Sequence, residues 1–306
     1  MSRSASKWSK LKTGALVLSL VALTGCASTS PYKEEYYFQA LGGEAKIVAT
    51  ADAAKLEKAY PGGLSLGVGY IDDNVTRYSV ALYKDEYGEE DVYPVPFADL
   101  KFYGAAEGKF SSFIGNTGLS WSKPFFKVKE NGLKYYTNDE RSISLAFPSN
   151  GILLFASDSY EKAYEESIKN RKKTISDEDA AVMASSVVSC YVEDPKTMFD
   201  LGFDLPLSVL TQMKKALVAV DEGEDSYYLK GTLEMKSEKL AKTMLTILRN
   251  NEVAKAKRNG EKPDYKALSA LYVQDGAFIE IAPEKISDEE MKATVDKISV
   301  ISGGLL

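Results

Sequence analysis

Two Asn-Gly dipeptides constrain this chain more than any other feature. Asn131-Gly132 separates Phe125-Phe126-Lys127-Val128 from Leu133-Lys134-Tyr135-Tyr136, and Asn150-Gly151 separates Ile143–Phe147 from Ile152–Phe155. Both residue types tolerate the positive φ angles of tight hairpin turns, and the flanking runs are aromatic and β-branched. With Asn138-Asp139 as the middle turn, the stretch predicts four antiparallel strands in a meander.

The remaining segments use the same vocabulary. Ala45–Thr50 predicts a strand, after which Asp52 caps a short helix over 53–60 that Pro61-Gly62-Gly63 ends. Leu64, Leu66, Val68 and Tyr70 alternate with small residues, as do Tyr78, Val80 and Leu82 after Asp72-Asp73-Asn74, which predicts a strand pair. Pro96 is placed to open a short helix. Ser159 opens a helix that runs to about Lys173, and Ser176-Asp177-Glu178-Asp179 reads as a capping box. Val187–Val192 is a strand. Pro206 then opens a predicted helix through Leu207, Leu210, Met213, Leu217 and Val220, whose spacing is helical. Leu229–Met235 alternates as a strand with one wet face. Ser237 caps a helix carrying Leu240, Met244, Ile247 and Leu248. Asp275-Gly276 joins two strands into a hairpin, and Ser287 caps a last helix carrying Met291, Val295 and Ile298. The fold class is α+β: antiparallel sheets of hairpins and a meander, packed with amphipathic helices. Hairpin, apolar strand and Ser-capped helix recur at the ends of 36–173 and 174–306, and Lys46-Ile-Val-Ala resembles Val187-Val-Ser-Cys. The expectation is two α+β halves from a diverged internal duplication.

The N-terminus sets the compartment. Residues 1–13 carry Arg3, Lys7, Lys10 and Lys12 with no acidic side chain, and the apolar run 14–24 is 11 residues long. A helix needs about 20 residues to cross the hydrocarbon core, so the run reads as an export signal. Leu23-Thr24-Gly25-Cys26 resembles the lipobox of bacterial lipoproteins. That resemblance implies cleavage before Cys26, removal of 1–25 as a signal peptide, and diacylation of the Cys26 thiol. Residues 26–35 would then be a lipidated tether, and the protein would sit in the bacterial cell envelope, periplasmic or outward-facing, with membrane lipid as its partner through Cys26.

Composition excludes several functions. Residues 1–25 hold four of the 38 basic side chains and none of the 44 acidic ones, so the formal charge changes from −6 to −10 on their removal. Such a surface repels nucleic acid. The chain has no histidine, which removes histidine triads and histidine zinc sites. With Cys26 acylated, Cys190 is a lone cysteine and reads as a small buried hydrophobe. The acidic stretches Asp72-Asp73-Asn74, 85–91 and 221–225 lack a calcium-loop order, and no glycine loop fits a phosphate. Neither Ser120-Trp-Ser-Lys123 nor Ser159-Tyr-Glu-Lys162 brings the other elements of a serine-lysine hydrolase. No cofactor or metal is expected. What remains is an aromatic concentration in which Phe97, Phe102, Tyr103, Phe113 and Trp121 are candidates for binding an apolar ligand or another envelope protein. The expected function is a membrane-anchored, non-catalytic binding or assembly module. The alternatives are a scaffold packing against other envelope proteins and a histidine-independent hydrolase.

Overall fold

The computed structural model describes residues 33–41, 47–61, 69–83, 101–138, 142–157, 159–193, 195, 207–258 and 260–301. Its strands are β1 (Ile47–Asp52), β2 (Val75–Tyr83), β3 (Lys101–Gly108), β4 (Phe126–Glu130), β5 (Leu133–Asn138), β6 (Ile143–Ser149), β7 (Ile152–Ala156), β8 (Val188–Val192), β9 (Met213–Glu222), β10 (Tyr227–Met235), β11 (Tyr272–Asp275) and β12 (Phe278–Ile286). Its helices are α1 (Phe38–Leu41), α2 (Ala53–Ala59), α3 (Gly69–Asp72), α4 (Ser112–Trp121), α5 (Tyr160–Tyr164, continued by a π-helical turn Glu165–Asn170), α6 (Asp177–Ser185), α7 (Leu207–Leu210), α8 (Glu238–Arg258), α9 (Tyr265–Leu271) and α10 (Asp288–Ile301).

Among the described residues all twelve strands join one antiparallel sheet, in the order β11-β12-β10-β9-β8-β1-β2-β3-β7-β6-β5-β4. The strands of 36–173 form one wing and those of 174–306 the other. The wings meet where β1 pairs with β8. Helices α3, α4, α7 and α8 bury residues against one face of the sheet, and α2 and α10 pack there around Ala51 and Val188. Helices α1 and α5 cover the opposite face of the first wing, and α6 covers that face at the junction, beside Val48, Tyr191 and Leu217.

The pairing registers carry a symmetry that the sequence barely shows. Ala49 pairs with Cys190 at the centre of β1 and β8. Outward from that pair, Ala49 meets Val80 while Cys190 meets Val218. Val80 then meets Gly104 while Val218 meets Gly231. Gly104 meets Phe155 while Gly231 meets Ile281, and these in turn meet Leu145 and Tyr272. One transverse row of the sheet is thus matched about its midpoint, with glycine at the same place in each wing. A Cβ on Gly104 would lie 2.4 Å from the Ser79 carbonyl oxygen and 2.5 Å from the Phe155 ring; on Gly231 it would lie 2.7 Å from the Leu217 carbonyl oxygen and 3.5 Å from Ile281. Ser79 and Leu217 hold equivalent positions in β2 and β9, so both glycines make room against the same neighbours. Such a row relates the two wings position by position about the β1–β8 junction.

Local signals form as the sequence predicts. The four-strand meander β4–β7 is present, and its first turn has φ 48° at Asn131 and 81° at Gly132. In the second turn Gly151 alone is left-handed, at φ 82°. The caps are made: Asp52 accepts from the Lys55 amide at 3.0 Å, Ser159 from Lys162 at 3.2 Å and Ser176 from Asp179 at 3.1 Å. At α10 the Ser287 hydroxyl accepts from the Glu290 amide while the Glu290 carboxylate accepts from the Ser287 amide, a reciprocal capping box.

Other expectations are corrected. The helix predicted from Pro206 lasts only through α7, and Met213 to Glu222 is strand β9. As a central strand it is covered on both faces, so Ala216, Leu217, Ala219 and Val220 are all buried and the alternation that marks a strand is lost. The strand expected to end at Tyr70 is not one there, because Gly69 and Tyr70 lie in α3, and β2 pairs with β1 and β3 instead. Leu64–Val68, the acidic run 85–91 and Pro96 lie outside the described residues.

Gly104→Ala is predicted to lower stability by about 1–3 kcal/mol through overpacking. Gly118→Ala, in open space inside α4, is predicted to raise it by about 0.5–1 kcal/mol. Urea midpoints of the two variants check the opposite signs.

Candidate functional site

The five aromatic candidates do not share a surface. Phe102 and Tyr103 are successive residues of β3 and therefore point to opposite faces. Phe102 packs on Phe155 at 6.4 Å, whereas Tyr103 packs on Tyr83 at 5.2 Å and donates its hydroxyl to the Leu41 carbonyl at 2.7 Å. Both are buried core residues, and this corrects their assignment to a binding surface. Phe97 lies outside the described residues. Phe113 and Trp121 remain, 69% and 81% exposed on α4.

Helix α4 is built against the usual pattern. It buries Gly115 and Leu119 and turns Phe113, Ile114 and Trp121 to solvent. Helices of soluble domains normally do the reverse. No charged residue occurs between Lys109 and Lys123. The helix holds its position by other means. Ser111 caps it by accepting from the Ile114 amide, and the Ser112 amide donates to Asn150 at 2.9 Å. Gly115 rests on the Phe147 ring, where a Cβ would lie 2.5 Å from the ring carbons. Asn116 donates to the Phe147 carbonyl at 2.8 Å and accepts from the Phe147 amide at 3.2 Å. Phe147 is where β6 loses its ladder partners: β5 pairs only with Ile143, Ser144 and Leu145. The Asn116 amide therefore replaces a missing strand.

Because β5 leaves β6 at this point, a cleft opens between α4 and the β4–β5 hairpin. It has a volume of about 550 Å³ and is lined by Ser112, Phe113, Asn116, Thr117 and Ser120 from the helix and by Lys127, Lys134 and Tyr136 from the hairpin. That volume suits a small molecule. The transverse row described above ends here, since Leu145 pairs with Tyr136 and Tyr136 with Lys127. Exposed Phe126 lies at the start of β4.

The hairpin separates its charges by face. Lys127, Lys129, Lys134 and Tyr136 share the cleft side by register. On the other side Tyr135 stacks on Tyr160 at 5.1 Å, the Tyr135 hydroxyl donates to Glu130 at 2.8 Å, and Asn131 donates to Glu161 at 2.8 Å. Desolvation, then the bond to the Glu130 carboxylate, pushes the Tyr135 phenol up to about 12. The described residues lining the cleft include no carboxylate.

Sequence reasoning picked out Phe113 and Trp121 but missed α4 itself, Lys127 and Lys134. The signals were a Ser-Ser pair before an uncharged run and lysines alternating along Lys127-Val128-Lys129. Elsewhere, Cys190 lies on β8, where desolvation pushes its thiol up to about 12. Among the described residues no group of three or more acidic or cysteine side chains could hold a metal ion.

No family model matches the chain, and no curated protein sequence matches it. The fold is similar to crystal structures of TP0453. Crystal form III gives a TM-score of 0.55 at 12% identity, covering 84% of this chain and 96% of that one. Crystal form I gives 0.54 at 13% identity, covering 89% and 99%. At that identity the likeness establishes the α+β fold alone. No described helix is long and apolar enough to cross a membrane.

Asn116→Leu is predicted to destabilise the protein by about 1–3 kcal/mol, because the Phe147 amide and carbonyl lose their partner. An unchanged urea midpoint would contradict the clamp. A maleimide at neutral pH is predicted to label Cys190, which is half-buried on β8, much more slowly in the fold than after denaturation, since desolvation keeps its thiol protonated; mass spectrometry before and after unfolding checks this.

Proposed function

We propose that the chain is a bacterial envelope lipoprotein, anchored through acylated Cys26, whose folded body is a non-catalytic binding module. The observation that carries the binding part is α4, which turns Phe113, Ile114 and Trp121 outward beside a cleft lined by lysines and hydroxyls. Exposed large apolar groups grouped beside a cavity mark interaction sites in soluble domains. The anchoring part rests on Leu23-Thr24-Gly25-Cys26 and on the apolar run before it. Two acyl chains give stable membrane attachment without a spanning helix.

The start of the described body suits a tethered protein. Glu34 pairs with the buried Arg77 at 2.9 Å, and the buried Glu107 carboxylate accepts from the Glu35 and Tyr37 amides at 3.2 and 3.3 Å. Arg171 binds the Glu35 carboxylate and its carbonyl, and Phe38 and Leu41 are fully buried. A pull on Lys33 would therefore be borne by the sheet. From Cys26 to Lys33 the backbone reaches at most about 25 Å, which keeps the body close to the bilayer. Residues 35–37 bind the end of β3, and α4 starts a few residues beyond it.

Cys26→Ser is predicted to move the protein from the membrane fraction to the soluble fraction of fractionated cells. Intact mass of the native form should show a diacylated N-terminal cysteine. A substituted protein that still sediments with membranes, or a native form with an unmodified N-terminus, would contradict the anchor.

A further inference from the structure

The charges of the cleft are placed where folding alone does not favour them. Lys129 and Lys134 stand directly opposite each other in the β4–β5 register, and Lys127 shares their face. All three are exposed, and none makes an ion pair among the described residues. Like charges directly opposite destabilise a strand pair, and a hairpin ending a sheet has little stability to spare. The nearby carboxylates do not compensate, since Glu130 and Glu161 are engaged on the opposite face. Across the cleft α4 contributes hydroxyls, an amide and a phenyl ring but no charge. Three lysines thus share one face of the hairpin without counter-charge, two of them, Lys127 and Lys134, lining the cleft, in a chain whose net charge is −6.

We infer that this lysine face is an anion seat and that the group it takes is of phosphate type, an inference that rests on the cleft being the ligand site. A phosphate ester carries up to two charges on several acceptor oxygens, which matches the two lysines lining the cleft, with Lys129 beside them, better than the single charge of a carboxylate. The cleft, about 550 Å³, is many times larger than the anion. The phosphate is therefore one end of a larger molecule whose remainder lies along Phe113 and the exposed side of α4. Two sources share this chemistry: a water-soluble phosphate ester and the headgroup of an anionic phospholipid.

The test uses the mature chain carrying Cys26→Ser, in which Trp121 is the sole tryptophan because Trp8 leaves with the signal peptide. The probes are inorganic pyrophosphate, a short-chain phosphatidylglycerol below its micellar concentration, and phosphatidylcholine of the same chain length. Thermal midpoint and Trp121 emission are read for the parent and for Lys134→Glu. Without ligand, Lys134→Glu should raise the thermal midpoint, because it sets opposite charges face to face at Lys129. Pyrophosphate should raise the parent's midpoint saturably, beyond sodium chloride of equal ionic strength, and Lys134→Glu should weaken that response at least about tenfold. Displacement of pyrophosphate by phosphatidylglycerol assigns the seat to a lipid headgroup, and no displacement assigns it to a soluble ester. A ligand-free midpoint that is unchanged or lowered by Lys134→Glu, or pyrophosphate acting equally on both proteins, overturns the anion seat. If both lipids then shift Trp121 emission alike in both proteins, the cleft remains a binding site of another kind. If no probe moves Trp121 emission or stability, the cleft reading fails as well.

Discussion

The antiparallel pairing of β1 with β8 is the contact on which the rest of the molecule depends. The two strands lie at the middle of a twelve-stranded sheet, and without their ladder each wing would end in an unpaired apolar edge. Ile47, Val48, Ala49 and Ala51 of β1 are all at most 4% exposed, so the β1 side of the junction lies in the core. Its polar groups are satisfied internally. The Thr50 hydroxyl lies 2.9 Å from both the Tyr78 carbonyl and the Ser79 hydroxyl, as buried polar groups require. One hydrophobic cluster runs across the junction, from Phe155 and Val80 in one wing to Met213 and Leu233 in the other. The halves are therefore two wings of a shared core.

Against this symmetric frame the differences stand out. After β3 the chain enters α4, ten residues without charge; after the equivalent β10 it enters α8, twenty-one residues rich in lysine and glutamate. Beyond β6 the first wing adds the β4–β5 hairpin, whereas the second wing stops at its equivalent, β11. The closing helices also part company, α5 packing on one face of the sheet and α10 on the other. Helix α4 and the added hairpin are the walls of the cleft. The matched frame of the two wings is common to both, and the departure from it supplies the concave surface.

What could be read from the sequence was whatever is settled within a few residues. Asn131-Gly132, Asp52 and Ser287 act on their immediate neighbours, and each made the turn or cap its chemistry dictates. The matched fragments Lys46-Ile-Val-Ala and Val187-Val-Ser-Cys share the register centred on Ala49 and Cys190. What depended on distant partners was hidden. Strand β9 reads as a helix because burial on both faces erases its alternation. Tyr103 and Trp121 are both aromatic, yet one lies under α1 and the other is in water, which is decided by strand order rather than by local composition. Helix α4 shows no broad apolar stripe toward the core because, besides Leu119, its contact is made by a glycine on Phe147 and an amide on a strand edge. The lysines of the cleft showed in the sequence only as an alternation along Lys127-Val128-Lys129, and it took the hairpin register to put Lys129 opposite Lys134.

Residue-resolved amide shifts of the isotope-labelled protein spanning 27–306, recorded with and without inorganic pyrophosphate, test most directly whether function resides where the two wings differ. Perturbations confined to 112–120 and 127–136, with α8, β11 and β12 silent, are the predicted result. Perturbations spread evenly over both wings, or centred on the basic end of α8 at Lys255, Lys257 and Arg258, would contradict it.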